Sequence, residues 1–578
     1  MIKELVEFGK RISWGQERAI VKESCVILIS IDENGEFLGF IHYDKEIEAE
    51  VLVKYDKKKN DWGYLSAKKG QVRFLLDKSD AVLGIGDKDA ENKHKMFLRK
   101  LYSYDSVQAL KPVFLFYKED GKGFKKAIEE FKKLDKTVNG NISFMVNTTP
   151  LLEMPEVQKA IIERFHETEN NLFDSLQHKK VCSVCGKTNN PVLDEPYGLV
   201  KMPKGQTAGC ALVSFNESAF ESYGLKGNLN ASLCRECARN LTEALSFMLS
   251  KGNVIPKTEK REEHYKYRHR IKISDTTVAL FWTREMTNDD DSFFILDEPD
   301  EENVRNLLKS AWTGDQRLGS VVDTNMFYSC TLSSAAARIA VRDWTAISLD
   351  DYKHNLADWF RDIEIQNEAG TLAYNPLRIL INATQRNKKN GENKKTDLSA
   401  KSRIGAILWN AAVKGKSYKI PIEVLQYTLN RIFVGEKISD ERAAVIKLVI
   451  NRNTNKNMES KLDEKNRSVA YLCGRLFAVI ETMQWKAVGD VNNGVKERYF
   501  TAAASQPAYI IGMLLTKNVP IYQHKIGGYL AKELNEIAGN ISERGSLPLR
   551  FSVIEQGEFA LGYYFQRNHK KDTTESNN

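Results

Sequence analysis

VILISIDENGEFLGF, residues 26–40, sets the reading of the first part of the chain. Two apolar runs flank Glu33-Asn34-Gly35, and a polar turn ending in glycine between strand-prone runs is a hairpin signal. Short apolar stretches at 51–55 and 72–76 predict further strands. The pattern then alternates, with a helix over 93–104, a strand at 112–117, a helix over 124–134 and a strand at 141–146. Residues 276–283, TTVALFWT, read as one more strand. From about residue 303 a helical period takes over. Val469, Leu476 and Met483 recur at seven, with Leu472, Cys473 and Ile480 on the same face, which describes an amphipathic helix. Residues 527–538 and 551–565 predict further helices, and the tail after Asn568 is expected to be disordered.

The bulk properties exclude several classes. With 42% hydrophobic and 28% charged residues in 578, the chain is neither collagen-like, globally disordered nor a disulfide scaffold. No apolar run approaches the about 20 residues of a membrane span. Glu4 and Glu7 stand where a signal peptide carries its apolar stretch, so the expected location is the cytoplasm and no membrane is a partner. The net charge of +8 is mild, yet residues 289–302 alone hold eight acids and no Lys or Arg. That run reads as a solvated loop. The other 564 residues therefore carry +16, which favours a polyanionic partner.

Cys182-x-x-Cys185 and Cys234-x-x-Cys237 form the most specific chemical signal. Two residues between cysteines let a tight turn present both thiolates to one ion, and two such turns complete a tetrahedral site. Gly186 suits the turn, and Ala238, Leu241, Leu245 and Met248 share one face of a helix after the second pair. Structural zinc is the favoured reading; free thiols, a redox pair, an iron–sulfur cluster and a degenerate site compete with it. Four thiolates leave no open position for water, which disfavours catalytic zinc. Cys25, Cys210, Cys330 and Cys473 read as buried small hydrophobes. His178, near the first pair, reads as a surface residue.

The expected fold class is α+β: a mixed α/β N-terminal region with a zinc-clipped insertion, then a mainly helical C-terminal region ending in a helical bundle. The corresponding division is 1–180, a four-cysteine module at 181–255, a mixed segment at 256–345, a helical domain at 346–450 and a helical bundle at 458–578. Residues 385–403 and 451–466 are polar, Lys/Asn-rich stretches that read as linkers, because they offer little apolar surface to offset ordering.

No catalytic constellation emerges. Gly415-Lys416-Ser417 resembles the tail of a phosphate-binding loop, but Asn410 stands where the motif needs its first glycine. Gly84-Ile85-Gly86 lacks the third glycine of a dinucleotide fingerprint. There is no HExxH and no GxSxG, and the nine histidines are dispersed. A non-enzymatic role is expected. Residues 54–73 hold seven Lys/Arg interleaved with Tyr55, Trp62 and Tyr64, a pairing of cations and stacking rings that nucleic-acid grooves use.

Met202–Gly224, MPKGQTAGCALVSFNESAFESYG, is unexplained by periodicity. It resembles the signature of the large subunit of the type I-C CRISPR interference complex (Cas-eight subtype C, or Csd-one). RFLLDKSDAVLG at 73–84, SSAAARIAVRDW at 333–344, AYLCGRLFAVIE at 470–481, RYFTAAA at 498–504 and QGEFALGYYFQR at 556–567 are similar to further family elements, in family order. Lys78 stands where the family has Asn, Ala81 where it has Tyr, Ser334-Ala335 where it has Pro-Asn, and Asp343 where it has an aromatic.

The resemblance implies a non-catalytic subunit of an RNA-guided surveillance complex. Guide RNA would read the target by base pairing, while this chain reads the short flanking motif (the protospacer-adjacent motif) in double-stranded DNA and assists strand separation and R-loop formation. Implied partners are the target DNA, the guide RNA, the backbone subunits, the subunit capping the guide 5′ end, a small subunit and a recruited helicase–nuclease. Gln206, Ser214 and Asn216 are the candidates for reading base edges, and Lys68, Lys69, Arg73 and Lys78 for phosphates. Gln206 and Asn216 read equally as turn-capping amides. Phe215, Phe220 and Tyr223 are expected in the core rather than as a wedge between bases. The family also implies a small subunit made by internal translation, for which Met458 is the candidate start, giving 121 residues. Two other functions compete: a nuclease with a dispersed site, and a stand-alone zinc-containing DNA-binding regulator.

Overall fold

The computed structural model describes the chain except residues 13–18, 52, 57–60, 65–71, 87–88, 119–121, 135–139, 175–178, 189, 192–197, 216, 251–252, 256–263, 267, 286–294, 297–300, 314–324, 387–397, 490–492, 529 and 570–578. The architecture is mixed α+β, with a sheet region toward the N-terminus and a helical C-terminal region. Two compact units divide it: one comprises 2–199 with 213–244, the other 200–212 with 245–578.

The first unit is built on a four-stranded sheet in the order Phe37–Glu50, Ile20–Ile31, Ile142–Val146, Thr149–Pro150. The hairpin read from the sequence is present. Asp32 Oδ1 accepts from the Asn34 and Glu36 amides at 2.9 and 2.8 Å, and Gly35 supplies the left-handed residue at φ +78°. Ile20–Ile31 pairs antiparallel with its hairpin partner and parallel with Ile142–Val146, so its second half is buried on both faces. Continuous apolar burial of this kind is what a central strand requires.

Two expected strands are absent. Residues 112–117 belong to the helix Lys111–Phe116, with a proline in its first turn, where its missing N–H is harmless. Leu110, Val113 and Phe116, three apart, are all fully buried, so the period that won is helical rather than alternating. Residues 72–76 form an irregular turn with Leu75 at φ +57°. The Asp77 carboxylate holds it by accepting from the Arg73 and Lys78 amides, each at 2.8 Å. Burial raises the Asp77 pKa above the usual carboxylate value despite these bonds.

The second unit carries an antiparallel sheet in the order Arg270–Lys272, Thr277–Thr283, Met326–Ala335, Arg338–Ser348. Helices follow from Leu349–Ile363 to Val553–Asn568. The tightest contact among them joins Val469–Val488 to Val553–Asn568. A Cβ on Gly474 would lie 2.0 Å from the Phe559 carbonyl oxygen, and one on Gly562 would lie 2.1 Å from that of Tyr471. The two helices thus touch backbone to backbone through reciprocal glycines, both within stretches that carried the family resemblance.

Residues 451–466, expected as an unordered linker, are instead packed. Met458 is buried, and its amide donates to Asn451 Oδ1 at 2.8 Å. Lys456 and Ser468 both reach the fully buried Glu558 carboxylate, while the Tyr471 hydroxyl accepts from the Asp463 amide. Polar contacts to a buried acid replace the apolar burial that the composition lacks. The other expected linker, 385–403, lies mostly outside the described residues, although Leu398–Val413 is helical. The acidic run also falls largely outside them; Ile295 and Leu296 within it are buried, and Glu301 opens the helix Glu301–Thr313. The tail from 570 is outside as well. No described helix is long and apolar enough to cross a membrane.

Replacing Gly474 or Gly562 by Ala is expected to destabilise the C-terminal helices by about 1–3 kcal/mol, as overpacking does. The double variant should lose less than the sum of the singles, because both act on one contact. Thermal unfolding checks this, and unchanged midpoints would show that the contact is loose.

Candidate metal centre and candidate DNA-reading loop

The four paired cysteines converge. The sulfurs of Cys182, Cys185, Cys234 and Cys237 all lie within 4.8 Å of one another. The first pair sits on a turn closed by the Gly186 amide on the Cys182 carbonyl at 3.0 Å, with Gly186 at φ +70°. The second pair opens the helix Arg235–Ser250, which buries Ala238, Leu241, Leu245 and Met248 as the sequence suggests. Ser183 N donates to the Ser232 carbonyl at 2.8 Å and Cys234 N to the Cys182 sulfur at 3.3 Å, tying the two turns together.

Sulfurs around zinc at about 2.3 Å form a tetrahedron with edges of about 3.8 Å. The Cys185–Cys234 separation is 3.8 Å, compatible with that ion. The hydrogen bond with the Cys237 thiol pulls Cys234 down to about 5, against its own burial, and the same contact pushes Cys237 well up. One thiolate therefore forms readily and opposes the next, so a cluster of four ionised sulfurs calls for a cation between them. Cys25, Cys210, Cys330 and Cys473 are buried elsewhere, as expected, and burial raises Cys25 to about 11 and Cys330 and Cys473 to about 12.

The N-terminal helix Ile2–Ile12 seats directly on this module. A Cβ on Gly9 would fall 2.0 Å from the Asn240 carbonyl oxygen, and Lys10 pairs with Glu236 at 3.9 Å. Lys187 reaches the same Glu236 at 3.3 Å.

The stretch 202–224 is glycine-punctuated for structural reasons. Val200 pairs with Cys210, and a Cβ on Gly205 would strike the Cys210 sulfur at 2.6 Å. Gln206 is exposed, and its carbonyl accepts from the Gly209 amide at 2.9 Å. Gln206 belongs to one compact unit and Ser214 to the other. Asn216, Lys68, Lys69 and His178 lie outside the described residues. Lys78 is exposed, whereas Arg73 is mostly buried and bonded to Glu23 at 2.7 Å.

The aromatic residues of this stretch overturn their expected burial. Phe215 is half-buried, Phe220 is 41% exposed and Tyr223 is 99% exposed. Ser222–Leu225 is a tight turn closed at 2.9 Å, with Tyr223 at φ +52° and Gly224 at φ +72°, the pattern of a type I′ turn. Asn230 staples it, accepting from the Ser222 amide at 3.1 Å and donating to the carbonyls of Leu225 and Gly227 at 2.9 and 3.0 Å. A bulky residue in the left-handed region is strained, and here the Asn230 bonds hold it there. Sequence reading missed this because the turn carries Tyr-Gly rather than Asn-Gly. The signal that could have found it is Asn230, whose role depends on a contact across eight residues.

Residues 16–570 match the CRISPR-associated protein family Cas_Csd1. The chain belongs to that family, and is a CRISPR-associated subunit of the Cascade kind. No curated protein matches the chain.

Tyr223→Gly is expected to keep stability within about 1 kcal/mol of the parent, since strain relief and glycine's extra chain entropy nearly cancel. Truncating a core aromatic costs about 3–5 kcal/mol. A loss of that size on denaturant unfolding would put the ring in a packed site.

Proposed function

We propose that the chain is the non-catalytic large subunit of a type I-C Cascade complex, reading the flanking motif of target DNA as duplex and assisting its opening. Family membership over residues 16–570 is the observation that carries this reading. The stapled turn bearing the exposed Tyr223 ring supports contact with a stacked base step, and exposed Gln206 is an amide suited to base edges. Ser214 and Asn216 complete the proposed reading set. Lys68, Lys69 and Lys78 take phosphates; Arg73, engaged by Glu23, serves this role only if that ion pair opens. The chain binds guide RNA, the backbone subunits and the 5′-capping subunit, and recruits the helicase–nuclease once the hybrid forms. Its setting is the cytoplasm.

Zinc at Cys182, Cys185, Cys234 and Cys237 is structural in this reading, closing the base of the excursion that carries the turn. Met458 is the proposed internal start of a small subunit. The helices joined through Gly474 and Gly562 both lie after Met458, so a product beginning there keeps its tightest contact.

The reading is tested with the assembled complex and duplexes of randomised flank. Gln206→Ala should flatten flank preference, while Lys78→Gln should lower the salt slope by about 0.9 and leave preference unchanged. Unaltered preference in Gln206→Ala, Ser214→Ala and Tyr223→Gly together would refute flank reading by this loop. Elemental analysis should find one zinc per chain, lost on Cys237→Ser together with thermal stability; a metal-free parent would remove zinc from the account. Met458→Leu, nearly isosteric, should abolish the 121-residue product while leaving the full chain folded. Persistence of that product would refute the start site.

A further inference from the structure

A pocket of about 690 Å³ opens between the sheet strands Thr277–Thr283, Met326–Ala335 and Arg338–Ser348 and the helix Leu398–Val413. Its chemistry is one-sided. Arg342 lines it with no carboxylate partner among the described residues; its Nε donates to Ser333 Oγ at 2.7 Å, which fixes the guanidinium and leaves the outer nitrogens available. Asp343, beside it in sequence, is taken by Lys414 at 2.7 Å. Arg403, also at the pocket, is paired with Glu423 at 3.0 Å.

Hydroxyls supply the next layer. Ser402 Oγ receives Ser274 at 3.1 Å and lies against the Thr277 hydroxyl. If Ser402 accepts from both, its own proton is left to donate into the pocket. Asn410 also lines the cavity, 8% exposed, with a carboxamide oxygen that has no hydrogen-bond partner among the described residues. Ala406 and Ile407 provide an apolar wall. The orphaned atom of Asn410 is an acceptor, so it calls for an N–H, which a base supplies and a phosphodiester does not.

The combination selects its occupant. A guanidinium edge and hydroxyl donors match a phosphate. The volume falls in the range of organic-ligand pockets, about 300–1,000 Å³, so it accommodates more than a lone anion. The apolar wall suits a sugar or base. Bases in a duplex are paired and stacked inward, so a concavity of this kind admits only an unpaired nucleotide. We propose that this pocket holds one nucleotide of an unpaired strand, its phosphodiester on Arg342 and Ser402 and its sugar and base against Ala406 and Ile407. The proposal rests on the Cascade reading, in which strands separate, and adds a site where one of them is gripped.

The test uses the purified full chain with two probes, a fluorescein-labelled oligodeoxythymidine strand and a labelled duplex. Arg342→Gln should weaken strand binding about tenfold, the scale of a charge-assisted hydrogen bond, and reduce its salt slope by about 0.7, one phosphate on a single strand. Ala406→Phe fills the pocket without removing charge and should weaken strand binding comparably. Both should bind duplex like the parent, and Lys517→Gln, the same charge change at an exposed residue, should alter neither probe. Variants that bind the strand like the parent overturn the pocket and leave the Cascade reading intact. Equal losses on both probes, or a parent that binds duplex but no strand, also overturn it. A parent that binds neither probe contradicts the proposed function as well.

Discussion

Four sulfurs meeting within 4.8 Å constrain everything around them. The convergence pins residue 182 to residue 237, fixes the start of the Arg235–Ser250 helix and gives the N-terminal helix a seat at Asn240. The cluster joins the two ends of the excursion between the cysteine pairs, in which Val200, Met202, Cys210, Ala211 and Leu233 are also buried. The turn at Ser222–Leu225 lies inside that excursion, so its strained tyrosine is displayed from a closed base rather than a free loop. Display of a rigid aromatic lowers the entropy lost on contact with a partner.

A different economy holds the helical part together. Gly474 and Gly562 remove side chains where two helices meet, and the close approach that results leaves no room for water. Glu558, on one of these helices, is fully buried and gathers Lys456 and Ser468 from the preceding segment. A polar stretch is thereby fastened to the bundle by this acid together with the buried Met458 and the Tyr471 hydroxyl. The pocket proposed to hold an unpaired nucleotide lies beside Arg342, between the antiparallel sheet and the helix Leu398–Val413.

The hairpin at 26–40, the strand at 277–283 and the helix at 469–488 were legible because one local period decides each of them. The cysteine cluster was legible because its spacing encodes turn geometry. Residues 112–117 misled because six apolar residues fit both periods, and only the burial of Leu110, Val113 and Phe116 separates them. Residues 451–466 misled because their order comes from side-chain partners, Glu558 about a hundred residues later in the chain and Asn451 and Tyr471 nearer by. The turn that carries Tyr223 was hidden because its closure by Asn230, eight residues from Ser222, follows no helical or strand period. Long-range polar contacts leave no periodic trace, and they decide most of what the sequence concealed here.

The account's central claim is membership of an RNA-guided assembly, and the most direct measurement is purification of the tagged chain from cells with an intact CRISPR locus, followed by sequencing of bound RNA and mass spectrometry of bound proteins. The account predicts a short RNA of nearly uniform length, joined by several protein subunits in fixed proportion. Recovery of the chain alone and free of RNA, with sequence-specific duplex binding or metal-dependent cleavage of its own, would contradict it.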